Sequence, residues 1–294
     1  LFSDDFLKKL EKLAFISKKI PNSNSPGAQK TYRKGSSLEF SDYRAYSSGD
    51  DIRNIDWSVW KRLGQFFVKL YSADLDRTIS IIIDTSKSMG TGNPDKLTFS
   101  IQAAASLGYI GLRNQDRVSI ISISETVLDY MKPSRGEGRT ISMFNFLSSL
   151  RAAGKTDLAK SLKAFSGRVP GNGIVILISD LLDHEGFKEG LYHLIYNRAD
   201  IIVLHILSEE DLVPDFSGPI KLIDSETGDV LNFTMDRETA VAYKKGLSEY
   251  FLDVEKLCMK NKVEYIRVSS GTPFEDLILK YMRQGSGLLL KGSQ

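Results

Sequence analysis

The chain has 294 residues, 41% hydrophobic and 26% charged, with Lys+Arg 39 against Asp+Glu 37 and a formal net charge of +2. A chain of this length buries a sizeable core, and the even charge balance lacks the basic excess that nonspecific nucleic-acid binding needs. The single cysteine, Cys258, excludes an internal disulfide and fits a reducing compartment, and no apolar run approaches the roughly 20 residues that span a bilayer, so a cytoplasmic location is expected.

Residues 4–20 predict an amphipathic helix, with Phe6, Leu7, Leu10, Leu13, Ala14, Ile16 and Ile20 recurring at helical spacing. The stretch PNSNSPGAQKTYRKGSS that follows is rich in turn formers and reads as loop. Residues 39–64 mix charges with aromatics and show no helical period. Asp42, Arg44, Asp50, Asp51, Arg53 and Asp56 alternate in sign, which suits a salt-bridged platform with Trp57 and Trp60 as its packing. Residues 65–71 predict a strand.

From residue 78 an alternation begins. Strand 78–84 leads to a helix near 95–113, with Leu97, Ile101, Ala104, Ala105, Gly108 and Leu112 facing inward. Strands 117–123 and 126–131 flank a tight Ser124-Glu125 turn and predict an antiparallel pair. Helices near 139–151 and 157–167 precede strand 174–180, helix 186–197 and strand 200–207. Helix 236–260, carrying Cys258 as a small core residue, strand 262–268 and helix 273–283 complete the series. The pattern predicts an α/β fold, a doubly wound, mostly parallel six-stranded sheet with one antiparallel edge strand. Residues 208–235 break the alternation around Glu226-Thr227-Gly228-Asp229 and predict a small β-hairpin appendage, expected to pair with strand 65–71. The expected organisation is an N-terminal helix with the charged aromatic segment and a strand (1–75) packing on a main domain (76–284), then a tail (285–294).

The chemistry concentrates where the β-branched run Ile79, Ile81, Ile82, Ile83 ends in Asp84-Thr85-Ser86-Lys87-Ser88. A carboxylate and two hydroxyls at alternate positions are hard oxygen donors that suit Mg²⁺ or Mn²⁺, and the carboxyl end of a sheet strand is where open α/β folds place ligands. A second apolar strand ends in Ile178-Ser179-Asp180, and Gly154-Lys155-Thr156-Asp157 sets a hydroxyl at a loop-to-helix start. If the two strands are neighbours, Asp84, Ser86, Ser88, Thr156 and Asp180 meet in one crevice. Plainer roles compete: turns or caps before helix 95–113 for Ser86 and Ser88, helix caps for Thr156 and Asp157, a strand-end turn for Asp180. His184, His193 and His205 fall on a loop, a helix and a strand without ligand spacing. No G-x-x-x-x-G-K-[ST] occurs, so no P-loop is expected.

The set Asp84-x-Ser86-x-Ser88, Thr156 and Asp180 resembles the metal-ion-dependent adhesion site of the von Willebrand factor A (vWA) domain, a likeness that runs over about 76–284. The resemblance implies that Ser86 and Ser88 ligate a divalent cation directly, Mg²⁺ or else Mn²⁺ or Ca²⁺. It implies that Thr156 binds directly or through water, that Asp84 and Asp180 hold ligand waters, and that a partner protein's carboxylate fills an open position. The segment Gly35-x-x-x-Glu39-Phe40-x-Asp42-x-Arg44-x-Tyr46, then Gly49-Asp50-Asp51-x-Arg53-x-Ile55-Asp56-Trp57, together with Asp224-x-Glu226-Thr227-Gly228, resembles the DUF58 family of bacteria and archaea. Members of that family are commonly encoded beside MoxR-type AAA+ ATPases. The resemblance therefore implies a non-enzymatic interaction module working with such an ATPase in protein assembly, activation or remodelling. One alternative is a Mg²⁺-dependent phosphohydrolase with Asp84 as nucleophile, although such enzymes carry a second aspartate where this chain has Ser86. The other is nucleic-acid binding, known for some proteins with A-type domains.

Overall fold

The computed structural model describes residues 5–11, 38–47, 49–73, 78–168, 173–212, 218–224, 226, 228–274 and 276–277. The chain divides into two compact units, one spanning Leu1–Pro21 and Arg77–Leu290, the other Asn22–Asp76 and Lys291–Gln294. Helix α1 (residues 5–11) belongs to the larger unit and buries Phe6 and Leu10 in its core, while Leu7 is exposed. The rest of the helix predicted to residue 20 lies outside the described residues, as does most of helix 273–283.

In the smaller unit, strands β1 (Leu38–Ala45) and β2 (Phe67–Ala73) pair antiparallel, and helix α2 (Trp57–Leu63) lies in their connection. Residues 39–64, which show no period, thus contain a strand and a helix, each too short to display one. Asp56 caps α2 by accepting the amides of Ser58 and Val59. Its carboxylate also accepts the Tyr43 hydroxyl at 2.8 Å and lies 3.1 Å from Lys69 Nζ. The Tyr43 bond first, then Lys69 and the capped amides, outweigh desolvation and hold Asp56 down to about 2. With Arg44 on Asp50 at 2.6 Å, these contacts realise the ion pairing that the alternating signs predict. The tryptophans do not serve as buried packing: Trp57 and Trp60 are exposed, and Trp60 stacks on Phe66 with ring centroids 5.7 Å apart. Among the described side chains of this unit, Ile55, Val59 and Val68 are the buried apolar ones.

The larger unit continues with β3 (Thr78–Asp84), α3 (Lys96–Arg113), β4 (Arg117–Ile123), β5 (Val127–Ser134), α4 (Thr140–Ser149), α5 (Leu158–Ser166) and β6 (Ile174–Ser179). It closes with α6 (His184–Tyr196), β7 (Asp200–Leu207), the short α7 (Glu209–Leu212), β8 (Gly218–Ile223), β9 (Val230–Met235), α8 (Arg237–Lys260) and β10 (Glu264–Ser269). Six strands form one sheet in the order β10-β7-β6-β3-β4-β5, parallel except for the edge strand β5. Side chains alternate across it. Ile79, Ile81 and Ile83 share one core with α3 and α4, whereas Ile82 joins the other with Leu158, Leu162 and Phe165 of α5 and Leu191 of α6. Both faces are covered, which is why these strands read as unbroken apolar runs. This is the doubly wound six-stranded α/β fold that the alternation predicts. Cys258 is buried in α8, and His184 opens α6 instead of lying in a loop. Among the described residues no helix is long and apolar enough to cross a membrane.

Strands β8 and β9 form the predicted appendage as a separate two-stranded sheet, but they do not pair with the strand predicted over 65–71. β1 takes that pairing. Closing the connection of roughly 20 residues between β1 and β2 costs less chain entropy than recruiting a strand about 150 residues away.

Candidate metal centre

β3 and β6 are parallel neighbours, with Ile83 opposite Ile178, so Asp84 comes level with Ser179 and Asp180 lies just beyond. Asp84 is fully buried and both of its carboxylate oxygens are engaged. The Ser86 amide donates to Oδ1 at 2.9 Å and the Ser179 hydroxyl to Oδ2 at 2.7 Å, while the Leu181 amide donates to Ser179 Oγ at 3.0 Å. The next residue, Thr85, donates its amide and hydroxyl to the Ile123 carbonyl at 2.8 and 3.0 Å, which pins the loop to the end of β4. Ser86 and Ser88 are buried with their hydroxyl oxygens 3.1 Å apart. The loop before α5 is laced to the same turn: the Ala153 amide donates to the Thr85 carbonyl at 2.8 Å and the Lys87 amide to the Gly154 carbonyl at 3.0 Å.

Asp157 takes the plainer role expected of it and caps α5 through the Lys160 amide, while Asp95, and neither Ser86 nor Ser88, caps α3 through the Thr98 amide. Ser86 makes no capping bond with its side chain. Asp180 accepts Lys96 Nζ at 2.8 Å, and only a longer 3.4 Å bond from the Leu182 amide resembles a turn contact.

Burial first, and then the Asp180 carboxylate, push Asp84 up to about 6 despite the bonds from Ser179 and Ser86. Burial alone would depress the Lys96 ammonium, but Asp180 and Asp211 outweigh it and hold it above its usual value. The buried Lys96 ammonium is shared between Asp180 at 2.8 Å and Asp211 at 3.2 Å, whereas Asp84 is met by hydrogen bonds from Ser179 and Ser86. Adjacent oxygens around an octahedral Mg²⁺ at about 2.0–2.1 Å stand about 3 Å apart, which matches the pair of serine hydroxyls. Among the described residues no three His, Cys, Asp or Glu side chains gather as a metal site, so a cation here would depend on hydroxyls. On donor type and spacing the residues fit a hard divalent cation.

Three contributors escape sequence reasoning. Ser179 is hidden inside the I-S-D strand end. Lys96 has a weak signal, because a cation in the first turn of a helix opposes the macrodipole and asks for a local reason. Glu226, in the hairpin turn, accepts the Thr156 hydroxyl at 2.6 Å and the Thr156 amide at 2.9 Å, a contact that only the tertiary structure makes. From Thr156 an open groove of about 610 Å³ runs along α5 and α6, where Asp157, Asp183, Glu185 and Glu189 outnumber Lys188.

Fold and crevice together define a doubly wound α/β domain with a cluster of oxygen donors at the carboxyl edge of its central strands. The chain belongs to the family described as protein of unknown function DUF58, whose model matches residues 42–250. Uncharacterized proteins of Mycobacterium bovis and Mycobacterium tuberculosis are 24% identical to it over 228 residues, which is 76% of this chain and 71% of theirs. Similar solved structures include the conserved hypothetical protein BatB from Bacteroides thetaiotaomicron, at 16% identity and TM-score 0.45, covering 71% of this chain and 99% of that one. The SpRpn10 VWA domain is another, at 10% identity and TM-score 0.43, covering 73% and 99%.

Proposed function

We propose that the protein is a metal-dependent protein-interaction module of the vWA type. Ser86, Ser88 and Thr156 would hold a divalent cation, Mg²⁺ in the first instance and Mn²⁺ or Ca²⁺ otherwise, with Asp84 and Asp180 orienting its waters. The bound cation supplies a Lewis-acidic position that a partner's carboxylate completes. The observation that carries this reading is the convergence of Asp84, Ser86, Ser88 and Asp180 at neighbouring strand ends, with the two serine oxygens 3.1 Å apart and unused as helix caps. Asp84 has no exposed oxygen and both oxygens are hydrogen-bonded, which favours a holding role over that of a phosphohydrolase nucleophile. The acidic groove beside Thr156 calls for a partner whose ligating carboxylate is set among basic residues. The family resemblance nominates a MoxR-type AAA+ ATPase.

The test is a pull-down from native lysate run in Mg²⁺, in EDTA, and with Ser86→Ala in Mg²⁺, read by mass spectrometry. An ATPase retained in the first condition and lost in the other two is the expected result. Equal retention in all three would remove the metal from the interface.

A further inference from the structure

The β8–β9 arm carries a motif that the proposed function leaves unused, Asp224-x-Glu226-x-Gly228. Its turn is built to present Glu226. Asp224 Oδ1 accepts the Glu226 amide at 2.7 Å, the Asp224 carbonyl accepts the Gly228 amide at 2.9 Å, and the Asp224 amide donates to the Asp229 carbonyl at 2.8 Å. Gly228 has φ 79°, a left-handed conformation that glycine takes without a Cβ penalty. In the strands of the arm, Leu222, Ile223, Val230 and Leu231 are exposed.

Glu226 reaches Thr156 with both oxygens, accepting hydrogen bonds from its hydroxyl at 2.6 Å and its amide at 2.9 Å. A threonine hydroxyl has one proton and two lone pairs. With the proton committed to Glu226, the lone pairs are left for a cation, the side chain is held in one rotamer, and the oxygen becomes a better donor. Carboxylates behind metal ligands commonly act in this way.

We propose that Glu226 is the positioning carboxylate of Thr156 and that it couples docking of the β8–β9 arm to occupancy of the cation site. The proposal rests on the reading that Thr156 belongs to that site. Coupling of this kind is reciprocal: a seated arm tightens cation binding, and a bound cation tightens the arm.

The test uses the full chain stripped of metal. Mn²⁺ affinity is read by electron paramagnetic resonance, and amide hydrogen exchange over residues 218–235 is read by mass spectrometry with and without saturating Mg²⁺. In the wild type, Mg²⁺ should slow exchange in the arm. Glu226→Ala should weaken Mn²⁺ binding about 10–100-fold and abolish the slowing, with Glu226→Gln falling between, since losing a carboxylate behind a ligand typically costs that much affinity. Ser86→Ala should abolish binding and slowing together. Unchanged Mn²⁺ affinity in both Glu226 variants, or a wild-type arm indifferent to Mg²⁺, overturns the coupling and leaves the cation site standing. A wild type that binds no Mn²⁺ overturns both.

Discussion

Lys96 is among the largest side chains that the protein buries completely, and its ammonium stands against an equally buried Asp180. Replacing it with methionine would keep the volume but strand the carboxylate. Lys96→Met should therefore destabilise the metal-free protein by about 3–5 kcal/mol, the usual result of removing one partner from a buried pair. Urea titration with and without Mg²⁺ checks this, and saturating Mg²⁺ should recover more stability in the variant than in the wild type. No recovery would mean that no cation reaches the crevice. The same residue shows where residue-level reading stops. Asp84, Ser86, Ser88, Thr156 and Asp180 are legible as candidates because each stands at a strand end or loop end, places that periodicity locates. Lys96 and Glu226 sit inside a helix and a turn, and their meaning depends on partners 84 and 70 positions away.

At the scale of elements, α3 lies unusually close to the sheet. A Cβ on Gly111 would come within 2.9 Å of both Ile79 Cδ1 and Val118 Cγ2. In a solvent-facing helix interior, replacing glycine would gain up to about 1 kcal/mol of helix propensity. Here the space is filled, so Gly111→Val should destabilise by about 1–3 kcal/mol through overpacking, measured by the shift in denaturation midpoint. A neutral or stabilising result would mean that helix and sheet stand further apart. Long elements such as α3 and α8 are legible because several turns repeat their apolar face. β1 and α2 are not, since eight and seven residues show too few repeats.

For the whole molecule, the crevice proposed to hold a cation lies in the larger unit, at the carboxyl edge of the sheet that organises its two cores. Any ligand that binds only the folded state stabilises that unit by mass action. Mg²⁺ at a hundredfold excess over its dissociation constant should add about 2.7 kcal/mol and raise the thermal midpoint by about 5–10 °C, on the scaling for 150–250 residues. Calorimetry on the wild type and Ser86→Ala separates this from a general salt effect, because the variant should lose the shift. A shift of equal size in both would place the cation elsewhere.

Composition and periodicity by themselves determined the α/β class, the six strands of the main sheet and the antiparallel edge, and they put Asp84 and Asp180 at the ends of neighbouring strands. Those features depend on local order along the chain, with apolar runs where strands are covered on both faces and polar residues where they end. Tertiary structure decided which strand β2 pairs with, which residue neutralises Asp180, and that the hairpin turn lands on Thr156. Each of these is a contact between segments distant in sequence, chosen by loop entropy, burial and charge compensation in the folded state, and none leaves a period for the sequence to show.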